Sequence, residues 1–326
     1  HIVLGHPGLE SLIQTLAVLK GTAGMVTKAD IEEFRIRGCG LCDLTQMNRS
    51  SFPRSATAKP PSGKFWTRDT VSLRVASHEF GWIYLTLYVD QGSDLWVIVG
   101  HHDYTAKTVI ELDQKLQEFN RPHHGEIMKI KSDNHPSYKA HETREYLRDD
   151  EIGARYSASC VHEQVGDAEV GFRHIVPRAN ALLRGCPVDG GEEHEATAIF
   201  TVVAGRNALV KGGSSPHMRY YGTEEVELVS QIAYGAPVKF LIHPEARNGK
   251  FEDHADSGTF RGPRRDTLEM HPRHCWVLAE RKHGRKQHVS VDMGCVRVDE
   301  RAVIARTTRS HPSHQPYGDM RIEKPE

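Results

Sequence analysis

Apolar positions along this chain fall into blocks whose period changes from one block to the next. Leu9, Leu12, Ile13, Leu16 and Leu19 recur at i, i+3, i+4 and i+7, the stripe of an amphipathic helix, inside a small helical unit spanning residues 1–50. Residues 51–63, from Ser51-Phe52-Pro53-Arg54 to Lys59-Pro60-Pro61-Ser62-Gly63, lose the period and read as a basic linker. Residues 64–188 carry an α/β pattern. Strands are predicted at 65–72, 82–89 and 95–99, followed by a helix with Val109, Leu112, Leu116 and Phe119 on one face. A strand at 127–131, a helix at 139–149 and a short strand at 154–157 come next. A helix opening at Glu169 then places Phe172, Ile175, Val176, Ala179 and Leu183 inward, with Pro177 predicting a kink.

Residues 189–235 read as a helical connector, with a helix over 193–204 and the segment Ser214-Ser215-Pro216-His217-Met218-Arg219-Tyr220-Tyr221-Gly222. From 236 to 306 the pattern turns to short strands at 238–242, 257–262, 275–278 and 288–291, separated by Gly- and Pro-rich turns. That is the signature of a small β-barrel. Residues 307–326 are polar and rich in Pro and His, a composition that predicts a disordered tail. The expected fold is therefore multidomain: a small helical domain, an α/β core with a mixed sheet, and a C-terminal β-barrel.

Composition changes this picture little. The 326 residues suffice for two or three domains, and the chain is 38% hydrophobic and 26% charged. No run of about 18 apolar residues occurs, so no membrane partner is expected. No initiator Met or signal peptide opens the chain, which predicts a segment cut from a longer polyprotein. The net charge of −1 hides an uneven distribution. Seven Lys/Arg against one acid fill residues 35–68, fourteen against nine fill 247–311, and twelve acids against seven bases fill 139–200. Basic flanks around an acidic middle suit a protein that grips phosphates at its edges and binds cations centrally.

Two constellations carry chemistry. His1-Ile2-Val3-Leu4-Gly5-His6 is followed by Cys39-Gly40-Leu41-Cys42, and two imidazoles with two thiolates make a complete tetrahedral ligand set for structural Zn2+. A helical unit this short cannot build an adequate core, so a metal staple is physically reasonable. The other cysteines (160, 186, 275 and 295) are scattered, which suits an intracellular chain better than a disulfide scaffold. The second constellation is acidic. Asp69 follows Lys64-Phe65-Trp66-Thr67-Arg68, read as a strand end, Asp133 follows Ile127-Met128-Lys129-Ile130, and Glu169 opens a helix, with 35 residues between the last two. Three carboxylates from separate elements suit a pair of Mg2+ or Mn2+ ions roughly 4 Å apart, the arrangement used in phosphoryl transfer.

Together these residues resemble the integrase of copia-type LTR retrotransposons, a branch of the retroviral integrase superfamily. That family has His-x-x-Leu-Gly-His before Cys-x-x-Cys, then Asp, Asp and Glu with 35 residues between the last two. The resemblance covers roughly residues 1–305. It implies a zinc domain, a ribonuclease-H-like core with a mixed five-stranded sheet, and an SH3-like barrel. It further implies Zn2+ at His1, His6, Cys39 and Cys42, and two catalytic Mg2+ or Mn2+ ions at Asp69, Asp133 and Glu169. The implied activity is processing of the 3′ ends of element DNA and their joining to target DNA. That would be performed by a homo-oligomer on double-stranded DNA, in the nucleus after assembly in cytoplasmic particles. Candidate DNA contacts are Lys131, Gln164 and Arg173 near the acids, and Arg261, Arg264, Arg265, Arg281 and Lys282 in the barrel.

The chain also departs from the family near the acids. Asp-Asn-Gly is replaced by Asp133-Asn134-His135-Pro136, where loss of Gly is expected to cost turn freedom. Pro-Gln-x-Asn-Gly-x-x-Glu becomes His162-Glu163-Gln164-Val165-Gly166-Asp167-Ala168-Glu169, and Val170 stands where a basic residue usually follows, with Arg173 kept one turn later. Asp90, at another strand end, is read as a turn former. Three other readings stand beside the integrase. They are a ribonuclease-H-like nuclease that cuts without joining, a decayed or domesticated integrase serving as a DNA-binding scaffold, and a zinc module fused to an unrelated enzyme.

Overall fold

The computed structural model describes residues 9–18, 27–37, 59–156, 167–186, 191–225, 232–242, 255–264, 273–281 and 285–299. Two amino-terminal helices, α1 (Leu9–Val18) and α2 (Lys28–Arg37), precede the first sheet. Its strands are β1 (Phe65–Ser72), β2 (Tyr84–Asp90), β3 (Trp96–His101), β4 (Lys129–Ser132) and β5 (Gly153–Tyr156). They lie in the order β3-β2-β1-β4-β5, with β1 to β3 antiparallel and β4 and β5 parallel to β1. This is a mixed five-stranded sheet of the kind the resemblance implies.

The alternation visible in the sequence assigns the two faces of this sheet. Leu85, Leu87 and Val89 of β2 and Trp96 and Ile98 of β3 enter one core, while Tyr88 and Val97 enter the other. Helices α3 (Ala106–His124) and α5 (His141–Asp149) cover the second face through Leu112, Leu116 and Leu147. The short α4 (Pro136–Lys139) leads into α5. Helices α6 (Asp167–Gly185) and α7 (Glu195–Ala208) cover the first face through Phe172, Ile175, Leu182, Phe200 and Val203. α6 runs on through Pro177 without interruption, beginning two residues before Glu169.

α7 is buried nearly all round: Ala196, Ala198, Ile199, Phe200, Val202 and Val203 point in several directions, and all are covered. Its Asn207 extends the sheet, accepting from the Trp96 backbone N–H (3.0 Å) and donating to the Trp96 carbonyl (2.7 Å). The amide thereby satisfies backbone groups at an edge strand that would otherwise be buried without partners. α8 (Pro216–Tyr221) opens on Ser215, whose hydroxyl accepts from Met218 N at 3.0 Å, and closes on Gly222 at φ 68°, a left-handed cap.

A second antiparallel sheet follows: β6 (Pro237–Leu241), β7 (Ala255–Pro263), β8 (His274–Arg281), β9 (Arg285–Asp292) and β10 (Val296–Val298), in the order β10-β6-β7-β8-β9. Its two edge strands, β9 and β10, are consecutive in sequence and joined by the three-residue turn Met293–Cys295. A flat five-stranded sheet would hold its edges about 19 Å apart at about 4.8 Å per strand, beyond the reach of about 14 Å for that turn. The sheet therefore curls. Val238, Phe240, Phe260, Val277 and Val291 fill its inside. Among the described residues no helix is long and apolar enough to cross a membrane.

Candidate active site

Strand pairing puts the segments that carry Asp69 and Asp133 side by side. Thr67 of β1 is paired with Lys131 of the neighbouring parallel strand β4. Asp69 stands two residues further along β1, inside the strand, and Asp133 stands two residues further along the chain, just past the end of β4, so the two acids lie on neighbouring segments of one sheet. Asp69 is half-buried and its Oδ1 accepts from Thr70 N at 2.9 Å. Asp133 is exposed and its Oδ1 accepts from His135 N at 3.1 Å. α6 packs against β1 and β2 and carries Glu169 in its first turn. Only the backbone of Glu169 lies within the described residues.

A buried frame fixes β1 behind this pair. Arg68, next to Asp69 but on the opposite face, is ion-paired with Asp113 of α3, and both side chains are essentially inaccessible (1% and 0%). Tyr88 donates to the same carboxylate at 2.8 Å, and the Arg68 guanidinium lies 4.1 Å from the centroid of the Tyr138 ring. Burial works to lower the pKa of Arg68, but Asp113, with Tyr88 and Tyr138, outweighs it and holds the group above its ordinary value. Alongside runs a chain of hydroxyls: Tyr138 to Thr70 (2.7 Å), Thr70 to Thr86 (2.7 Å) and Thr86 to His101 Nε2 (2.9 Å). His101 Nδ1 lies 2.5 Å from the Asp103 carbonyl, which accepts only, so that nitrogen carries the proton and Nε2 accepts. Burial lowers the pKa of His101 below its usual value.

The departure at His135 has a structural account. Its φ is −59°, so the position never needed glycine's freedom, and its ring stacks on Tyr104 at 3.9 Å and 8°. Burial raises the Tyr104 pKa to about 12. His135 Nδ1 also accepts from Ser137 N at 3.3 Å, capping α4. Asp90 is a turn former: its carboxylate accepts from Gly63 N, Ser93 N and Ser93 Oγ at 3.0, 2.9 and 2.6 Å.

The candidate DNA contacts separate into groups. Lys131 is half-buried and, with Lys129 and Arg155, lines a cavity of about 300 Å³ that also takes in Phe65 and Gln91. Arg173 is exposed one turn beyond Glu169. Arg264 is held on the second sheet, donating to Ser290 Oγ at 3.1 Å and lying 5.3 Å from the Trp276 ring centroid. Arg261 departs from expectation. It is wholly buried, donates to Cys186 Sγ at 3.3 Å and lies over Tyr234, so its guanidinium faces α6 and the connector and not solvent. A single arginine in a strand gives no sign of which way it faces until the packing partner is known. Gln164, Arg265 and Lys282 lie outside the described residues, as do His1, His6, Cys39 and Cys42, and only the backbone of Arg281 is described.

Two features have no signal in the local sequence. A groove of about 570 Å³ beside α6 is lined by Lys59, Arg178, Arg206, Lys211 and Arg219, with Asp94 the acid among them. These bases come from the linker, α6, α7, the α7–α8 connection and α8, and no local run announces them. The second is a buried cluster of Glu79, His194 and His288, remote in sequence, in which burial, then His194 and His78, depress the His288 pKa to about 3.

The chain matches no protein-family model and no curated protein. Among solved structures it is similar to the HTLV-2 integrase catalytic core domain in complex with magnesium, in dimeric form. There the identity is 16%, the TM-score is 0.37, and 50% of this chain and 99% of that one are covered. It is also similar to a simian T-cell lymphotropic virus intasome in complex with PP2A regulatory subunit B56 gamma. There the identity is 11%, the TM-score is 0.37, and 89% and 98% are covered. Likenesses of this size add nothing to what strand order and site geometry carry.

Proposed function

We propose that the chain is an integrase-type polynucleotidyl transferase of a copia-type LTR retrotransposon, which trims the 3′ ends of element DNA and joins them to target DNA. One observation supports this reading: β1, which carries Asp69, pairs with β4, the strand that leads into Asp133, and the helix whose first turn holds Glu169 packs against β1. Hard carboxylate oxygens on separate elements suit Mg2+ or Mn2+, which, when bound, supply Lewis-acid stabilisation of phosphoryl oxygens.

The protein's own residues do the positioning. The Thr70 and His135 N–H groups orient the two aspartates, and the Arg68–Asp113 pair fixes the strand beneath them. The basic groove beside α6 and the cavity lined by Lys129, Lys131 and Arg155 suit the phosphate backbone of double-stranded DNA. End trimming by water and joining by a 3′-hydroxyl are both in-line displacements at phosphorus, so one site serves both. Zn2+ at His1, His6, Cys39 and Cys42, an SH3-like barrel, a homo-oligomer and action in the nucleus belong to the same reading.

A strand-transfer assay on the full chain, with a duplex bearing the element's terminal sequence in Mg2+ or Mn2+, tests it. Joined products that disappear with Glu169→Gln support the reading. Products from neither protein, with DNA still bound, favour a domesticated DNA-binding scaffold.

A further inference from the structure

Three segments far apart in sequence converge on one buried point. Glu79 comes from the loop between β1 and β2, His194 from the single helical turn Glu192–His194 before α7, and His288 from the middle of β9. Their side chains are 0%, 2% and 4% exposed. Yet both Glu79 carboxylate oxygens, His194 Nδ1 and His288 Nε2 are buried without a hydrogen-bond partner. A carboxylate stripped of water and given no donor is strongly disfavoured unless something else compensates its charge.

The distances say what would do so. Glu79 Oε1 lies 3.5 Å from His194 Nδ1 and 3.6 Å from His288 Nε2, and one ligand atom from each of the three residues falls within 4.8 Å of the others. Such separations exceed a charge-assisted hydrogen bond, whose N···O distance is about 2.7–2.9 Å. They approach the spacing of two ligands on one tetrahedral ion: bonds of about 2.0–2.1 Å at the tetrahedral angle put ligand atoms about 3.3–3.4 Å apart. The outer nitrogen of His288 is hydrogen-bonded as that of a metal-bound imidazole is, and that of His194 has a carboxylate nearby. His288 Nδ1 is 2.6 Å from His78 Nδ1, and His194 Nε2 is 3.7 Å from Glu193 Oε1. The backbone bond from His78 N to the Glu193 carbonyl, 3.1 Å, ties these two outer partners together.

We propose that Glu79, His194 and His288 bind one divalent transition-metal ion, Zn2+ by donor chemistry, with water in the fourth position. Two imidazoles and one carboxylate are an established zinc ligand set, and the ion's charge compensates Glu79. Its place in the fold gives it a structural task. It joins the β1–β2 loop of the first sheet and the connector to β9 of the second sheet, and so fixes the second sheet relative to the Asp69–Asp133 end of the first. This centre is separate from the His1, His6, Cys39, Cys42 set and does not depend on the integrase reading.

The test is metal content and cobalt spectroscopy on the full chain. It is run in an Asp69→Asn, Asp133→Asn background, so that the carboxylate site does not contribute. Titration with Co2+ should fill one tetrahedral equivalent per chain that lacks thiolate-to-metal charge transfer. That equivalent should persist with Cys39→Ser, Cys42→Ser and vanish with His288→Gln or His194→Gln, with the zinc content falling by one per chain. Metal content unchanged by both histidine variants would overturn the proposal. If those variants do not fold, the background chain alone decides. A cobalt equivalent free of thiolate charge transfer supports the site, and saturation at thiolate-bound cobalt, or no binding, overturns it.

Discussion

Asp113→Ala should be among the most damaging single changes outside the catalytic carboxylates. The substitution removes the counter-ion of Arg68 and leaves a guanidinium, 1% exposed, in the core between the sheet and α3. Breaking a buried ion pair from one side costs about 3–5 kcal/mol, because the surviving charge stays desolvated. Tyr88 also loses its acceptor at 2.8 Å, adding about 1 kcal/mol. The sum, about 4–6 kcal/mol, is a large share of the roughly 5–15 kcal/mol by which a domain is stable. Urea denaturation of the full chain, followed by circular dichroism, reads the change directly. Replacing both partners, Arg68→Met with Asp113→Leu, should recover at least about 2 kcal/mol of that loss, since no charge is then buried. Asp113→Ala within about 1 kcal/mol of the parent would refute the reasoning. A double variant no better than the single would too, since the damage then is not an uncompensated charge.

Other outcomes follow from the same structure. Asp69→Asn, Asp133→Asn and Glu169→Gln should each lower strand transfer at least about 100-fold, as expected if several kcal/mol of transition-state charge stabilisation are lost, while duplex binding stays within a few-fold in filter or anisotropy assays. Asn207→Ala strips the Trp96 N–H and C=O of their partners and should cost about 2–3 kcal/mol in the same urea titration. Neutralising Arg178 and Lys211 together should reduce the slope of log Kd against log salt by about 0.9 for each phosphate these side chains neutralise, and an unchanged slope would remove the groove from the DNA path. His101, whose folded pKa is depressed by burial, contributes stability that is present above pH of about 6.5 and falls as pH drops below it. Between pH 6.5 and 5 the parent should therefore lose stability more steeply than His101→Gln, by up to about 1.4 kcal/mol per pH unit.

The first sheet was legible because strand alternation is a local signal. Leu85, Leu87 and Val89 against Tyr88 state their faces without knowledge of any neighbour. The spacing of Asp69, Asp133 and Glu169 was equally visible, although that the strand holding Asp69 neighbours the strand leading into Asp133 needed the β1–β4 pairing. α7 was harder to read. A helix shows its period only if one face meets water, and this one is covered on almost every side. Arg261 misled for the complementary reason: a charge reads as surface until its burial against Cys186 and Tyr234 is known.

By itself, then, the sequence determined most of the order of strands and helices, missing the short α4 and β10, since that order depends on neighbours a few positions away. Only the tertiary structure decided which bases share a groove, that His135 sits without strain on Tyr104, and that Glu79, His194 and His288 meet in one dry place. Those juxtapositions arise from packing between elements more than ninety residues apart in the case of the Glu79, His194 and His288 cluster. Nothing in the local pattern of a chain encodes a distance of that kind.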